Sequence, residues 1–197
     1  MQKDNIAILS NAILHLNPEM SKEAMDYLLD SCAFLTYQNK GEIIKCNERQ
    51  ENLYFLTSGL VRGYYIDDKG KDITIRFINN HGWVTHYTAL LSNTPSKYTF
   101  QCLEECTIME LSFEKINNGY NQFPSLERLG RLIAESVLKS QQARIESFQF
   151  LNAEERYLEF LENYPELFNR VSLSHLSTYL GIQRQSLTRI RKKISSR

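Results

Sequence analysis

Residues 172–194 read SLSHLSTYLGIQRQSLTRIRKKI, and the spacing of their apolar side chains predicts two short helices hinged at a glycine. Ser172 or Ser174 stands where a hydroxyl can accept the unpaired amides of a helix start. The first helix would then bury Leu173, Leu176 and Leu180. Gly181 follows, the residue type that takes a left-handed turn at a helix end without steric penalty, and Ile182 packs beneath that turn. A second helix places Leu187, Ile190 and Ile194 inward. Its outward positions are Gln183, Arg184, Gln185, Ser186, Thr188, Arg189, Lys192 and Lys193, with no acid among them. That division suits a helix entering a DNA major groove. Gln and Arg make paired hydrogen bonds to base edges, while Ser, Thr and Lys reach phosphates.

The charge distribution agrees. The chain has 197 residues and a formal net charge of +0. From residue 170 onward it carries seven bases (Arg170, Arg184, Arg189, Arg191, Lys192, Lys193 and Arg197) and no acid, so residues 1–169 sum to −7. A basic tail on an acidic body points to a localised polyanion contact, with Arg170, Lys192 and Lys193 placed for phosphates.

Upstream, NAEERYLEFLENYPEL (152–167) predicts a helix capped by Asn152 with Glu154 and Glu155 in its first turn. Before it, residues 124–151 form one long helical stretch. At 100° per residue, Leu126, Leu129, Ile133, Val137 and Phe148 share a face, with Leu138 and Ile145 to one side. An apolar arc covering about half the circumference exceeds the roughly 100° needed to cover one domain. Two packing partners are therefore expected: the chain's own core and a helix of a second copy, with Leu126, Leu129, Ile133 and Val137 at that seam.

From about residue 33 to 112 the texture is β. ENLYFLTSGLVRGYYIDDKGKDITIRFI (51–78) and KYTFQCLEECTIMEL (97–111) alternate short β-prone runs with the turn signals TSG and DDKG. Tight antiparallel turns predict a barrel or sandwich of about 80 residues. Residues 5–30 read as short helices. The fold class is α+β: an antiparallel β-roll with N-terminal helices (1–123), a long helix (124–151) and a helix-turn-helix domain (152–197).

Composition excludes several classes. No apolar run reaches the roughly 18–20 residues of a membrane span, and the broken apolar pattern of residues 1–16 makes a poor secretory signal. Cys32, Cys46, Cys102 and Cys106 are spread over 75 positions, which fits neither a disulfide framework nor an iron–sulfur cluster, and they read as core thiols. A cytoplasmic setting is expected. His81 and His86 read as polar loop residues, so no metal and no other cofactor is expected. A cupin-like metalloenzyme would converge several His and a carboxylate on neighbouring strands, but His15 and His175 lie outside the roll. A regulatory module acting through a protein partner is the remaining alternative, and salt-dependent duplex binding discriminates against it.

These motifs together resemble the cyclic-AMP receptor protein/fumarate-nitrate regulator (Crp/Fnr) family of bacterial transcription factors. NKGEIIKCNERQENLYFLTSGLVRGYYIDDKGKDITIRF (39–77) is similar to the family's cyclic-nucleotide-binding-like β-roll, with Gly41-Glu42 at its entry. Residues 124–150 match its dimerisation helix, NAEERYLEFL the start of its DNA-binding domain and LGIQRQSLTRI (180–190) its recognition helix. The resemblance implies a homodimer reading a palindromic operator in double-stranded DNA, with RNA polymerase as a further partner and no enzymatic activity. It puts base reading on Arg184, Gln185 and Arg189, with Ser186 and Thr188 joining Arg170, Lys192 and Lys193 at phosphates. Gln185 stands where glutamate is common in the family.

The sensor stretch departs from the family. HGWVTHYTALLSNTPSKYTF (81–100) has Trp83, Val84 and Thr85 where the cyclic-nucleotide binders carry an acid for the ribose, and no Arg occurs between Arg76 and Arg128. A buried phosphate needs a paired cation. Lys97, with Ser96 and Thr99, is the substitute at hand, so an effector pocket would draw on Trp83, Thr85, Ser96, Lys97 and Thr99. Cyclic AMP is not expected to bind.

Overall fold

The computed structural model describes residues 2–30 and 32–195; Arg197, counted above in the basic tail, lies outside them. Two helices open the chain, α1 (Gln2–Leu16) and α2 (Lys22–Leu29). Ser21 starts α2 by accepting the Ala24 amide at 3.2 Å. Eight strands follow: β1 (Cys32–Tyr37), β2 (Glu42–Ile44), β3 (Asn52–Ser58), β4 (Val61–Ile66), β5 (Asp72–Ile78), β6 (Gly82–Val84), β7 (Thr99–Cys102) and β8 (Cys106–Ser112). A short helix, α3 (Tyr87–Ser92), interrupts them in the sensor stretch, where no helix was expected. The strands pair as two four-stranded sheets, in the orders β1-β8-β3-β6 and β2-β7-β4-β5. In the first, β8 lies antiparallel between β1 and β3, with Phe34 opposite Met109 and Phe55 also opposite Met109.

Alternation along these strands builds two cores, because successive side chains point to opposite faces. On β3 and β8, Leu53, Phe55, Met109 and Leu111 face a cluster that Leu9, Ile13, Leu28 and Ile116 complete. Their neighbours Leu56 and Ile108 face a second cluster with Ile43, Ile44, Val61, Phe100, Cys102 and Cys106. The turn between β3 and β4 depends on Gly59: its φ is +116°, and a β-carbon there would lie 2.6 Å from Cys106 Sγ. Cys102 and Cys106 are core thiols as expected. Cys46 is not: it sits exposed in the loop after β2, and Cys32 is half-buried.

Helix α4 (Phe113–Tyr120) is capped by Ser112 and leads into α5 (Pro124–Phe150), a single helix of 27 residues. Here the expected seam needs correction. Leu126, Leu129 and Ile133 are only 1%, 3% and 5% exposed, and all three belong to the first core of their own chain. They are therefore unavailable to a partner. Val137 is half-buried, and the large apolar side chains of α5 left exposed are Leu138 at 69%, Ile145 at 51%, Phe148 at 43% and Phe150 at 76%.

Three further helices follow among the described residues. They are α6 (Ala153–Asn163), α7 (Leu173–Leu180) and α8 (Arg184–Ser195), with a single 3-10 turn at Pro165–Leu167 after α6. The molecule divides into two compact units. One comprises Met1–Gly63 and Phe77–Ser136, the other Tyr64–Arg76 and Val137–Arg197. Within the second, the Thr74 amide donates to Thr178 Oγ1 at 3.1 Å, and Tyr157, Phe160, Leu167, Leu176, Leu180 and Leu187 are its fully buried apolar side chains. No helix among the described residues is long and apolar enough to cross a membrane.

Candidate nucleic-acid interface

The turn that presents α8 is set by local chemistry. Ser172 Oγ accepts the His175 amide at 3.1 Å and starts α7, so Ser172, not Ser174, is the cap. At the other end Gly181 adopts φ +67°. Its amide donates to Thr178 O, and the Ile182 amide donates to Ser177 O at 3.0 Å. This paired bonding closes a helix end on a left-handed residue and satisfies carbonyls the helix would otherwise leave open. Gly181 is required twice over, because a β-carbon there would lie 2.6 Å from Phe148 Cε1.

Helix α8 divides as its sequence predicts. Leu187 is wholly buried, and Ile182, Ile190 and Ile194 are half-buried beside it. Leu173, expected in the core, is also only half-buried. Arg184, Gln185, Thr188, Arg189, Lys192 and Lys193 are exposed, and Ser186 is half-buried. Two of the residues assigned to phosphate have local ties. Thr188 Oγ1 donates back to Arg184 O at 3.0 Å, and Lys193 Nζ donates to Glu154 Oε2 at 2.6 Å. Arg170 is half-buried. Arg191 faces away from this surface, its guanidinium 4.5 Å from the centre of the Phe168 ring.

Two arginines that sequence reading passed over hold α7 from below. Arg144 Nη2, from α5, donates to Tyr179 O at 2.6 Å and stacks 4.0 Å from the Tyr179 ring centre. Arg156 Nε, from α6, donates to Leu180 O at 2.9 Å while its Nη1 reaches Leu151 O at 2.6 Å. Burial pulls the Arg144 pKa below its usual value, partly countered by Tyr179. Burial likewise pushes the Tyr179 phenol up. The signal was faint because a lone Arg in a helix reads as surface charge.

Among the five expected effector-pocket residues, Thr85 and Ser96 are linked through Gln50 and His86, and Lys97 joins them through its backbone amide. Trp83 packs edge-on against Phe55, ring centres 5.0 Å apart, in the first core. Thr85 is buried and accepts Gln50 Nε2 at 2.8 Å, while Gln50 Oε1 accepts the His86 amide at 3.1 Å. His86 Nδ1 lies 3.2 Å from Ser96 Oγ, whose hydroxyl also meets both the amide and the carbonyl of Tyr98. Thr99 Oγ1 accepts the Cys46 amide at 3.2 Å, and Lys97 is exposed. Burial, then the Lys97 charge, lowers the His86 pKa, which favours the neutral ring. Gln50, which joins this network from the loop before β3, was not legible because its partners lie 35 and 36 residues away. The roll also holds a nearly buried cation, Arg62 on β4, whose Nη2 reaches Gln101 Oε1 at 3.4 Å.

Comparison with known proteins bears on both regions. The family model of the cyclic nucleotide-binding domain matches residues 34–123. The fumarate and nitrate reduction regulatory protein of Vibrio cholerae is 23% identical over 78% of this chain, which spans 65% of that regulator's length. The cAMP-activated global transcriptional regulator CRP of Escherichia coli is 19% identical over 91% of this chain and 90% of its own. Among solved structures, FixK2 from Bradyrhizobium japonicum superposes with a TM-score of 0.73 at 16% identity, covering 84% of this chain and 85% of that one, which shows a shared fold. The roll's fold is thus that of a cyclic-nucleotide domain, but its residues do not fit the nucleotide. The hydroxyls of Thr85, Ser96 and Thr99 are engaged by Gln50, by His86 and the Tyr98 backbone, and by the Cys46 amide, and the one lysine in the stretch is solvent-facing.

Proposed function

We propose that this chain, which belongs to the Crp/Fnr family, is a transcription regulator that binds double-stranded DNA sequence-specifically as a homodimer. The observation carrying this reading is the outward face of α8, exposed, basic and acid-free, presented by a glycine-closed turn from α7. Arg184, Gln185 and Arg189 read base edges. Lys192, Lys193 and Arg170 meet phosphates, with Ser186 and Thr188 beside them. Two copies would set their α8 helices about 34 Å apart, in successive major grooves, so the operator is a palindrome with half-sites about one turn apart. RNA polymerase is the further partner, and no reaction is catalysed. Selection of bound duplexes from a random pool tests the reading. Recovery of a palindromic consensus supports it, and an unenriched pool refutes it.

The dimer seam we assign to the exposed part of α5. Leu138 and Ile145 stand seven residues apart, the spacing that keeps side chains on one coiled-coil seam. Leu138→Asp would bury an unpaired charge there and is expected to weaken association by about 3 kcal/mol or more. Light scattering at micromolar concentration should show a dimer for the natural chain and a monomer for the variant. A monomeric natural chain sinks the assignment.

The sensor stretch, with the Thr85, Ser96 and Thr99 hydroxyls already hydrogen-bonded within the protein and Lys97 exposed, is proposed not to use cyclic AMP. Titration calorimetry is expected to show no binding at micromolar nucleotide, and operator affinity should be the same with and without it. Micromolar affinity would overturn this, and Lys97 and Arg62 would then be the first cations to substitute.

A further inference from the structure

The basic tail has no acid of its own, yet folding brings one to it. Lys193 Nζ, in the last turn of α8, bonds Glu154 Oε2 at 2.6 Å across 39 residues of sequence. Glu154 sits in the first turn of α6, whose capping hydrogen bonds are made by Asn152 and Glu155. Asn152 Oδ1 accepts the amides of Glu154 and Glu155, and Glu155 Oε2 accepts the Asn152 amide in return. The Glu154 side chain is 25% exposed and its partner's 56%, so the acid is held while the ammonium remains in reach of solvent.

We propose that Glu154 is a built-in counterion that competes with DNA phosphate for Lys193 and so limits backbone affinity whatever the sequence. The inference rests on the DNA-binding reading above. A carboxylate and a phosphate offer an ammonium the same kind of charge-assisted bond. While Glu154 holds Lys193, that cation neutralises no phosphate and displaces no counterion from the duplex. The side chain acts through Lys193 and need not touch the nucleic acid, so it is a positioning residue.

The test uses the full chain as wild type, Glu154→Gln, Lys193→Ala and the double variant. Each is titrated against a selected operator and a scrambled duplex over a range of salt. Glu154→Gln is expected to bind both duplexes about two- to fivefold more tightly at low salt, the scale of an exposed ion pair. Its plot of log affinity against log salt should steepen by about one unit. In the Lys193→Ala background the same substitution should change neither quantity. Glu154→Ala serves the same comparison if circular dichroism shows the Gln variant unfolded. If wild type binds the operator and removal of the carboxylate leaves affinity and slope unchanged, the counterion is refuted and the DNA-binding reading stands. A gain that persists without Lys193 also refutes it, since the acid then acts by long-range repulsion. Failure of every form to bind either duplex overturns both readings.

Discussion

Leu187→Ala is expected to destabilise the helical C-terminal unit by about 2–5 kcal/mol, the range for emptying a fully buried leucine site. Leu187 is the wholly buried side chain of α8. The helix's other inward residues, Ile190 and Ile194, are only half-buried, so Leu187 supplies the fully buried anchor of α8. Urea unfolding followed by circular dichroism should show the shift, and operator affinity should fall with it, because an undocked α8 no longer has a fixed reading face. The control is Ile190→Val, which trims one methylene from a partly exposed site and should cost less than about 1.5 kcal/mol. A loss below about 1 kcal/mol for Leu187→Ala would mean that α8 is not held by its apolar face.

The second large effect separates reading from charge. Arg189→Ala is expected to cost about 1–3 kcal/mol on a selected operator and to relax preference at one base pair. Lys192→Ala should weaken operator and scrambled duplex alike and flatten the salt slope by about one unit. Lys192 is the cleaner phosphate probe than Lys193, whose ammonium already has a carboxylate partner. The decisive measurement is affinity of both variants for both duplexes across salt. Equal losses everywhere would mean that α8 contributes charge without reading sequence.

Features governed by neighbours in sequence were legible before the fold was known. The Asn152 cap, the glycine-closed turn and the inward Leu187 depend on contacts within a few residues, and each stands where the spacing puts it, while the α7 cap was narrowed to Ser172 or Ser174, of which the structure has Ser172. The strand region was legible for the same reason, through its turns. The dimer seam was not. Periodicity reports that one side of α5 is apolar, but it is silent on what covers it; Leu126, Leu129 and Ile133 turned out to be covered by their own chain. Bonds to partners that lie far along the chain were missed outright. Gln50, Arg144, Arg156 and Glu154 each bond across 24 to 39 residues, and one sequence carries no register for such pairs.

The arginine pair beneath α7 also bears on how this unit opens. The last carbonyls of a helix ordinarily fray first, since nothing beyond the final turn holds them. In α7 they are held from outside, Tyr179 O by a side chain of α5 and Leu180 O by one of α6. The C-terminal turn of α7 therefore cannot loosen without breaking bonds to both of those helices, and the Leu151 carbonyl at their junction is gripped by the same Arg156. In hydrogen-exchange terms the end of α7 and the α5–α6 junction form one cooperative segment. Backbone amides there should share a single opening free energy, where separate helices would show a graded series.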